Sequence, residues 1–160
     1  MNAKLKQACA IAENADVTTP SNSLLLYSIS YLPTDENKKK ALAYRCEHPE
    51  CRMLDDTECG KKLIALNLDT AGQNQNPPEE LMKIWAIASR RFIMAASGNV
   101  TAFVEGADKR STFVSVELPL ILENPQIQYI NGVAKNEFAK QWAHTQMIGI
   151  HKATVKCSDY

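Results

Sequence analysis

Long apolar runs are missing from this chain. Its longest, Leu24-Leu25-Leu26 and Phe92-Ile93-Met94-Ala95-Ala96, fall far short of the ~20 residues a transmembrane helix needs, so no membrane span is expected. Net charge is missing too: 18 Lys+Arg balance 18 Asp+Glu. No whole-molecule field draws a polyanion, and nucleic acid is not expected as a partner. The densest basic run, Lys38-Lys39-Lys40, stands beside Asp35 and Glu36 and reads as a solvated helix face. The basic start, with Lys4 and Lys6, is followed by no apolar segment, so no secretory signal is expected. There is no Gly-x-Gly-x-x-Gly fingerprint for a hydride-transfer cofactor, and no repeat or low-complexity tract. Even cysteine pairing is also absent: Cys9, Cys46, Cys51, Cys59 and Cys157 form an odd set, so at least one thiol is free or intermolecular. Cys46, His48, Cys51 and Cys59 match no common zinc-finger spacing. A zinc site, a local disulfide and reduced thiols all remain open for them.

What is present is ordinary globular material, 160 residues at 45% hydrophobic and 22% charged, which suits one domain. About two thirds of the unfolded surface can be buried at this length, enough for a core and a cleft. Residues 1–20 read as a peripheral segment, with a helix over Ala3–Ala15 stopped before Pro20. Residues 21–160 carry the rest. Ser21 or Ser23 can cap a helix bearing Leu24 to Tyr27, closed by Pro33. A further helical patch covers Asn37–Tyr44. Asp55, Asp56 and Thr57 open a helix that includes Leu63 to Leu66, and Asp69–Pro78 is a polar loop. The clearest helix runs from Pro78 to Ser97, with Leu81, Ile84, Trp85, Ala88, Phe92 and Ala95 on one stripe and Gly98 as its terminator. Strands are expected at Val100–Val104 and Ile127–Ile130, a helix at Lys135–Met147, and an edge strand at Thr154–Cys157. Helix followed by strand points to an α/β layer.

The densest concentration of chemistry lies between Trp85 and Glu117. Ser111, Thr112 and Phe113, after a Gly-Ala-Asp turn, offer hydroxyls and backbone N–H groups to an anionic group such as a phosphate. Glu117 sits in Val114-Ser115-Val116-Glu117-Leu118-Pro119, where nearly every neighbour is apolar. A carboxylate so placed either faces a cleft with a task or reaches out to cap or pair at the surface.

Trp85, Ser89 and Phe92, the following Val100–Val104, and then Ser111, Phe113 and Glu117 give W-x-x-x-S-x-x-F, a strand and S-x-F-x-x-x-E in that order. The order resembles the core of the animal ADP-ribosyl cyclases and NAD glycohydrolases. Upstream, Leu54-Asp55-Asp56-Thr57 resembles that family's Leu-Glu-Asp-Thr motif, with aspartate for glutamate. Leu25-Leu26-Tyr27-Ser28 resembles Leu-Leu-Trp-Ser, with tyrosine for tryptophan. The likeness is densest over Ile84–Asn124 and extends over Leu24–Ile130. The family's disulfide pattern is not reproduced, and the tail after Asn131 is short, which suits a distant, disulfide-poor, bacterial relative.

The resemblance implies an α/β fold in which a helical N-terminal half packs on a small, mainly parallel sheet with flanking helices. It implies an NAD+ glycohydrolase that cleaves the nicotinamide–ribose bond to give nicotinamide and ADP-ribose, with NAD+ as substrate and no cofactor. Glu117 is the expected catalytic carboxylate, facing an oxocarbenium-like ribosyl cation. Trp85 and Tyr27 are the expected aromatic walls around the cationic ring; packing in the core is the alternative for both. Asp55 is expected to hydrogen-bond the carboxamide and to favour capture by water, a helix cap being its alternative role, for which Asp56 competes. Ser28, Ser89, Ser111, Thr112 and Phe113 are expected to hold ribose and pyrophosphate, Phe113 shaping the pocket wall.

Ala12-Glu13-Asn14-Ala15 resembles the Glu-Asn motif that introduces toxin domains of contact-dependent inhibition proteins. That likeness implies a cell-surface-delivered toxin acting in a target-cell cytoplasm and restrained by an immunity protein. The rival readings are a ribonuclease toxin using His48, His144 or His151 as acid and base, and a binding module without chemistry.

Overall fold

The computed structural model describes residues 3–28, 36–68, 79–107 and 113–142. In chain order these form α1 (Ala3–Asn14), β1 (Leu24–Tyr27), α2 (Glu36–Glu47), a single 3₁₀ turn (Leu54–Asp56) and α3 (Glu58–Ala65). There follow α4 (Glu79–Met94), β2 (Gly98–Phe103), a π-helical turn (Phe113–Glu117), α5 (Leu118–Glu123), β3 (Ile127–Ile130) and β4 (Val133–Ala134). Residues 135–142 are helical. The four strands make one sheet in the order β1-β2-β3-β4. β1 and β2 run parallel with Leu24 opposite Val100 and Tyr27 opposite Phe103, and β2 and β3 run parallel as well. β4 returns antiparallel to β3 through Asn131 and Gly132, both at positive φ, the Asn-Gly turn chemistry of a tight hairpin. The class is α/β with a small, mainly parallel sheet, as expected.

Leu24–Tyr27 is a strand, not the capped helix expected from Ser21 and Ser23. Leu24 and Leu25 are each 1% exposed, so neighbouring side chains are buried on opposite faces of the sheet. A parallel strand covered on both faces reads as an unbroken apolar run, which periodicity alone does not separate from a short buried helix. Leu24 and Leu26 join the main core with Phe92, Val100, Ile121 and Ile127, while Leu25 joins a smaller cluster with Ala41, Cys51 and Met53 under α2. The outer edge of β1 is covered where Leu25 N–H donates to the Arg52 carbonyl and Arg52 N–H to Ser23, which leaves less free backbone for edge pairing.

α1 is not peripheral. Ala8 and Ala12 are fully buried in the main core. The last turn of α1 contains no basic residue, and Arg91 of α4 takes that place by donating to the Ala12 and Ala15 carbonyls at 2.8 Å each, as a cation at a helix C-terminus should. Asn124 ties α4 to β3 in a similar way. Its buried amide donates to the Ile93 and Ala96 carbonyls, and its side-chain oxygen accepts from Gln126 N–H. Among the described residues no helix is long and apolar enough to cross a membrane. The expected strand at Thr154–Cys157 and the end of the expected helix at Lys135–Met147 lie outside the described residues.

Candidate active site

Four separate segments meet at a cavity of about 90 Å³: Leu25, Leu26 and Tyr27 of β1; Met53, Leu54 and Asp55 at the 3₁₀ turn; Ser89 and Phe92 of α4; and Glu117. Local chemistry fixes each contributor. Asp56, not Asp55, does the capping: its Oδ2 accepts from Met53 N–H at 2.9 Å, and its Oδ1 accepts from Arg45 of α2. Thr57 then caps α3, accepting from Gly60 N–H and donating to the Leu54 carbonyl at 2.7 Å. Gly60 is required there, because a Cβ on it would stand 2.0 Å from the Leu54 carbonyl oxygen. With both cap roles filled by its neighbours, Asp55 is left to face the cavity.

Glu117 ends the π-helical turn and leads into α5. Pro119, in the first turn of α5, cannot donate an i→i−4 bond to Ser115, and a first helical turn tolerates that loss. The chain is thereby turned so that Glu117 lines the cavity beside Leu25, Leu26 and Phe92. Desolvation pushes its carboxyl up to about 7, since burial disfavours the charged form. Burial also raises Asp55; Asp56 adds to that rise, and Lys38 and Arg45 oppose it. The Tyr27 phenol is raised by burial first, then by Asp55 and Glu117, with Arg45 opposing. Both carboxylates therefore act electrostatically on one phenol, and a phenol, two carboxyls and the Ser89 hydroxyl converge on a mostly apolar space. Such a constellation of desolvated acids in a cleft is a candidate for acid–base or charge-stabilising work.

The remaining sequence candidates fall elsewhere. Trp85 is part-buried against the main core, one helical turn before Ser89 on the same side of α4, and is not among the cavity's wall residues. Ser28 extends the β1–β2 ladder, its N–H donating to Phe103 and its carbonyl accepting from Asn37. Phe113 is not a pocket wall: it is 1% exposed and packs edge-on against Phe138 and Trp142. An aromatic next to a helical turn that closes over the sheet is drawn into the core by its area. Ser111 and Thr112, like His144 and His151, lie outside the described residues. His48 stacks on Tyr44 with its Nδ1 at the Tyr44 carbonyl. Cys46, Cys51 and Cys59 are in no disulfide, and among the described residues no three His, Cys, Asp or Glu groups are gathered as a metal site.

Two features escaped the sequence reading. Arg45 pairs with Asp56 from eleven residues away, a partnership no local pattern announces. The cavity walls at Met53 and Leu54 come from the close packing of α3 on the turn at Gly60. A larger groove of about 400 Å³ lies between α4 and α5, with Arg90, Ser115 and Glu123 on its walls; it contains none of Tyr27, Asp55, Ser89 or Glu117.

No family model and no curated protein matches this chain. Among solved structures it is similar to a mutant of ADP-ribosyl cyclase, at 22% identity and a TM-score of 0.49, over 69% of this chain and 48% of that one. It is also similar to CD38, at 14% identity and a TM-score of 0.49, over 85% of this chain and 82% of that one. The chain thus spans about half the length of the first of these. The likeness is distant, and the pocket's own residues carry the chemistry.

Proposed function

We propose that the protein cleaves NAD+ at the nicotinamide–ribose bond, releasing nicotinamide and ADP-ribose. The observation that carries this reading is the convergence of Glu117, Asp55, Tyr27 and Ser89 on one cavity. These residues come one from each of the four motif segments that resemble the ADP-ribosyl cyclases. The cavity is far smaller than the ~300–1,000 Å³ of pockets that enclose whole drug-sized ligands. It suits the reacting end of the dinucleotide and leaves the remainder outside.

The nicotinamide ring of NAD+ is already cationic, so its departure needs no strong acid. The bond from its nitrogen to ribose C1′ breaks, and the electron pair leaves with neutral nicotinamide. The ribosyl group left behind is oxocarbenium-like. Ionised Glu117 stabilises that positive charge in a low-dielectric setting, where a fixed charge acts more strongly than it would in water. Water then bonds to C1′ and gives up a proton to the carboxylate, which releases it to solvent. A cationic ring bound close by also favours the ionised form of Glu117, so substrate and catalytic charge reinforce one another. Tyr27 presents an electron-rich face to the ring, and Asp55 presents an acceptor to the carboxamide.

The test is to incubate the purified chain with NAD+ and separate nicotinamide, ADP-ribose and cyclic ADP-ribose by chromatography, with Glu117→Gln as control. Nicotinamide release by the wild type and not by the variant is expected. Release by neither, or equal release by both, overturns the reading.

A further inference from the structure

A second cavity, of about 260 Å³, opens beside the first. It lies at the carboxyl ends of β2 and β3, walled by Phe103, Phe138 and Trp142, with Lys40 and Glu105 among its polar residues. The crevice outside the carboxyl ends of parallel strands is where open α/β sheets place their ligands. Phe103 is the register partner of Tyr27, which lines the first cavity, so neighbouring strands contribute a wall to each of the two spaces.

The Lys38-Lys39-Lys40 run lies over this junction. Asn37 and Ala41 are the buried residues of α2, and at about 100° per residue Lys38 and Lys40 project from opposite flanks of that buried face. The Asn37 amide fastens the helix across both strand ends, donating to the Ser28 and Glu105 carbonyls at 2.7 and 2.8 Å. Lys38 acts on Asp55 at the first cavity, Lys40 lines the second, and Lys39 turns outward to pair with Glu36. The Lys40–Glu105 pair at 3.3 Å is half exposed or more on both sides. A pair so exposed contributes little and yields readily to a stronger anion.

We propose that the second cavity takes the adenine end of the dinucleotide and that Lys38 and Lys40, on either flank of α2, contact the phosphates between the two ends. This rests on the NAD-cleaving reading and extends it. Adenine held in a cavity of its own, walled off from the one that takes the reacting ribose, is kept from attacking C1′, so water captures the ribosyl cation and linear ADP-ribose is the main product.

The experiment pairs two probes. Binding of AMP, which lacks nicotinamide, is followed by fluorescence in a Trp85→Phe protein, where Trp142 is the remaining indole of the two in the chain. The preference for NAD+ over nicotinamide riboside, which lacks the phosphates and adenosine, is read as a ratio of kcat/KM values. AMP is expected to quench Trp142. Lys38→Gln combined with Lys40→Gln is expected to weaken AMP binding and to shrink the substrate preference by roughly tenfold or more, the scale of lost charge-assisted hydrogen bonds. Lys39→Gln, on the outer face, should change neither. Absence of AMP quenching, or equal effects of Lys39→Gln and the double variant, overturns the proposal whatever the catalysis. If AMP binds as described but the wild type releases nicotinamide from neither substrate, the cavity stands as an adenylate site and the cleavage reading alone falls.

Discussion

In the turn Leu54–Asp56 the carboxylates are met by donors and cations, whereas in the turn Phe113–Glu117 the carboxylate meets hydrocarbon. Asp56 accepts from Met53 N–H and from Arg45, and Lys38 and Arg45 draw Asp55 back towards its ionised form. Glu117 has no such help: desolvation alone moves it, up to about 7. The first turn is built to hold a shape, and its charge is compensated by its own protein. The second holds an uncompensated acid at the expense of stability, and a ligand cation is what would complete it.

The contrast is broken most severely at Glu117. Glu117→Gln keeps the volume and removes the charge, and nicotinamide release is expected to fall by at least ~10²–10³-fold, the scale of losing one preorganised electrostatic contact. Because the proposed cleavage uses the ionised form, kcat/KM for the wild type should climb with pH and level off above about 7, the free-enzyme ionisation that this parameter reports. A profile flat through that range shows that Glu117 does not carry the charge.

Stability should move in the opposite sense. The folded protein holds the Glu117 proton up to about 7 against an ordinary value of 4.5, so it binds more protons than the unfolded chain between those limits. The wild type therefore loses stability as pH rises from about 4.5 to 7, by up to about 3 kcal/mol. Glu117→Gln should flatten that slope and melt higher than the wild type at pH 8 while matching it at pH 4. Thermal melts of both proteins at the two pH values measure this directly. An identical pH slope in the two proteins counts against a desolvated Glu117.

Much of this was legible in the residues, and what was not has identifiable causes. The α4 stripe and the strands at Val100 and Ile127 follow from periodicity and β-branched content, because each is specified within a few residues, although α4 stops at Met94 and Gly98 opens β2. Glu117 stood out for a related reason: a carboxylate in an apolar run is a local contradiction. Leu24–Tyr27 reads as a helix in the sequence because burial on both faces erases the period that distinguishes a strand. Motif position points Phe113 to the wall, while its area against Phe138 and Trp142 decides its place. The burial of α1 and the Arg45–Asp56 pair depend on contacts distant in sequence, for which a local pattern contains no record.

Breaking the compensated turn should cost stability and leave the pH slope of Glu117 in place. Asp56→Ala removes the cap on Met53 N–H and strands Arg45, which is about one third exposed; about 1–2 kcal/mol is expected. Arg45→Met should cost a similar amount through the same contact, so that the double variant is less destabilised than the sum of the single ones. Urea midpoints of the three variants form the cycle, and strict additivity shows that the pair is not coupled.

Asp55→Asn sharpens the comparison within the turn itself. Asp55 and Asp56 are adjacent and chemically identical, yet the bonds that hold the turn go to Asp56 and Thr57. Burial and the charge of Asp56 both raise Asp55, so its ionised form is mildly unfavourable in the fold, and an isosteric amide removes that repulsion. The unfolding midpoint at neutral pH should therefore stay within about 0.5 kcal/mol of wild type, or rise slightly. KM for NAD+ should rise several-fold, because an amide in place of a charged acceptor weakens the contact with the carboxamide by the modest worth of one charge-assisted hydrogen bond. A midpoint as low as that of Asp56→Ala, with KM unmoved, would make Asp55 a second structural cap and take it out of the site.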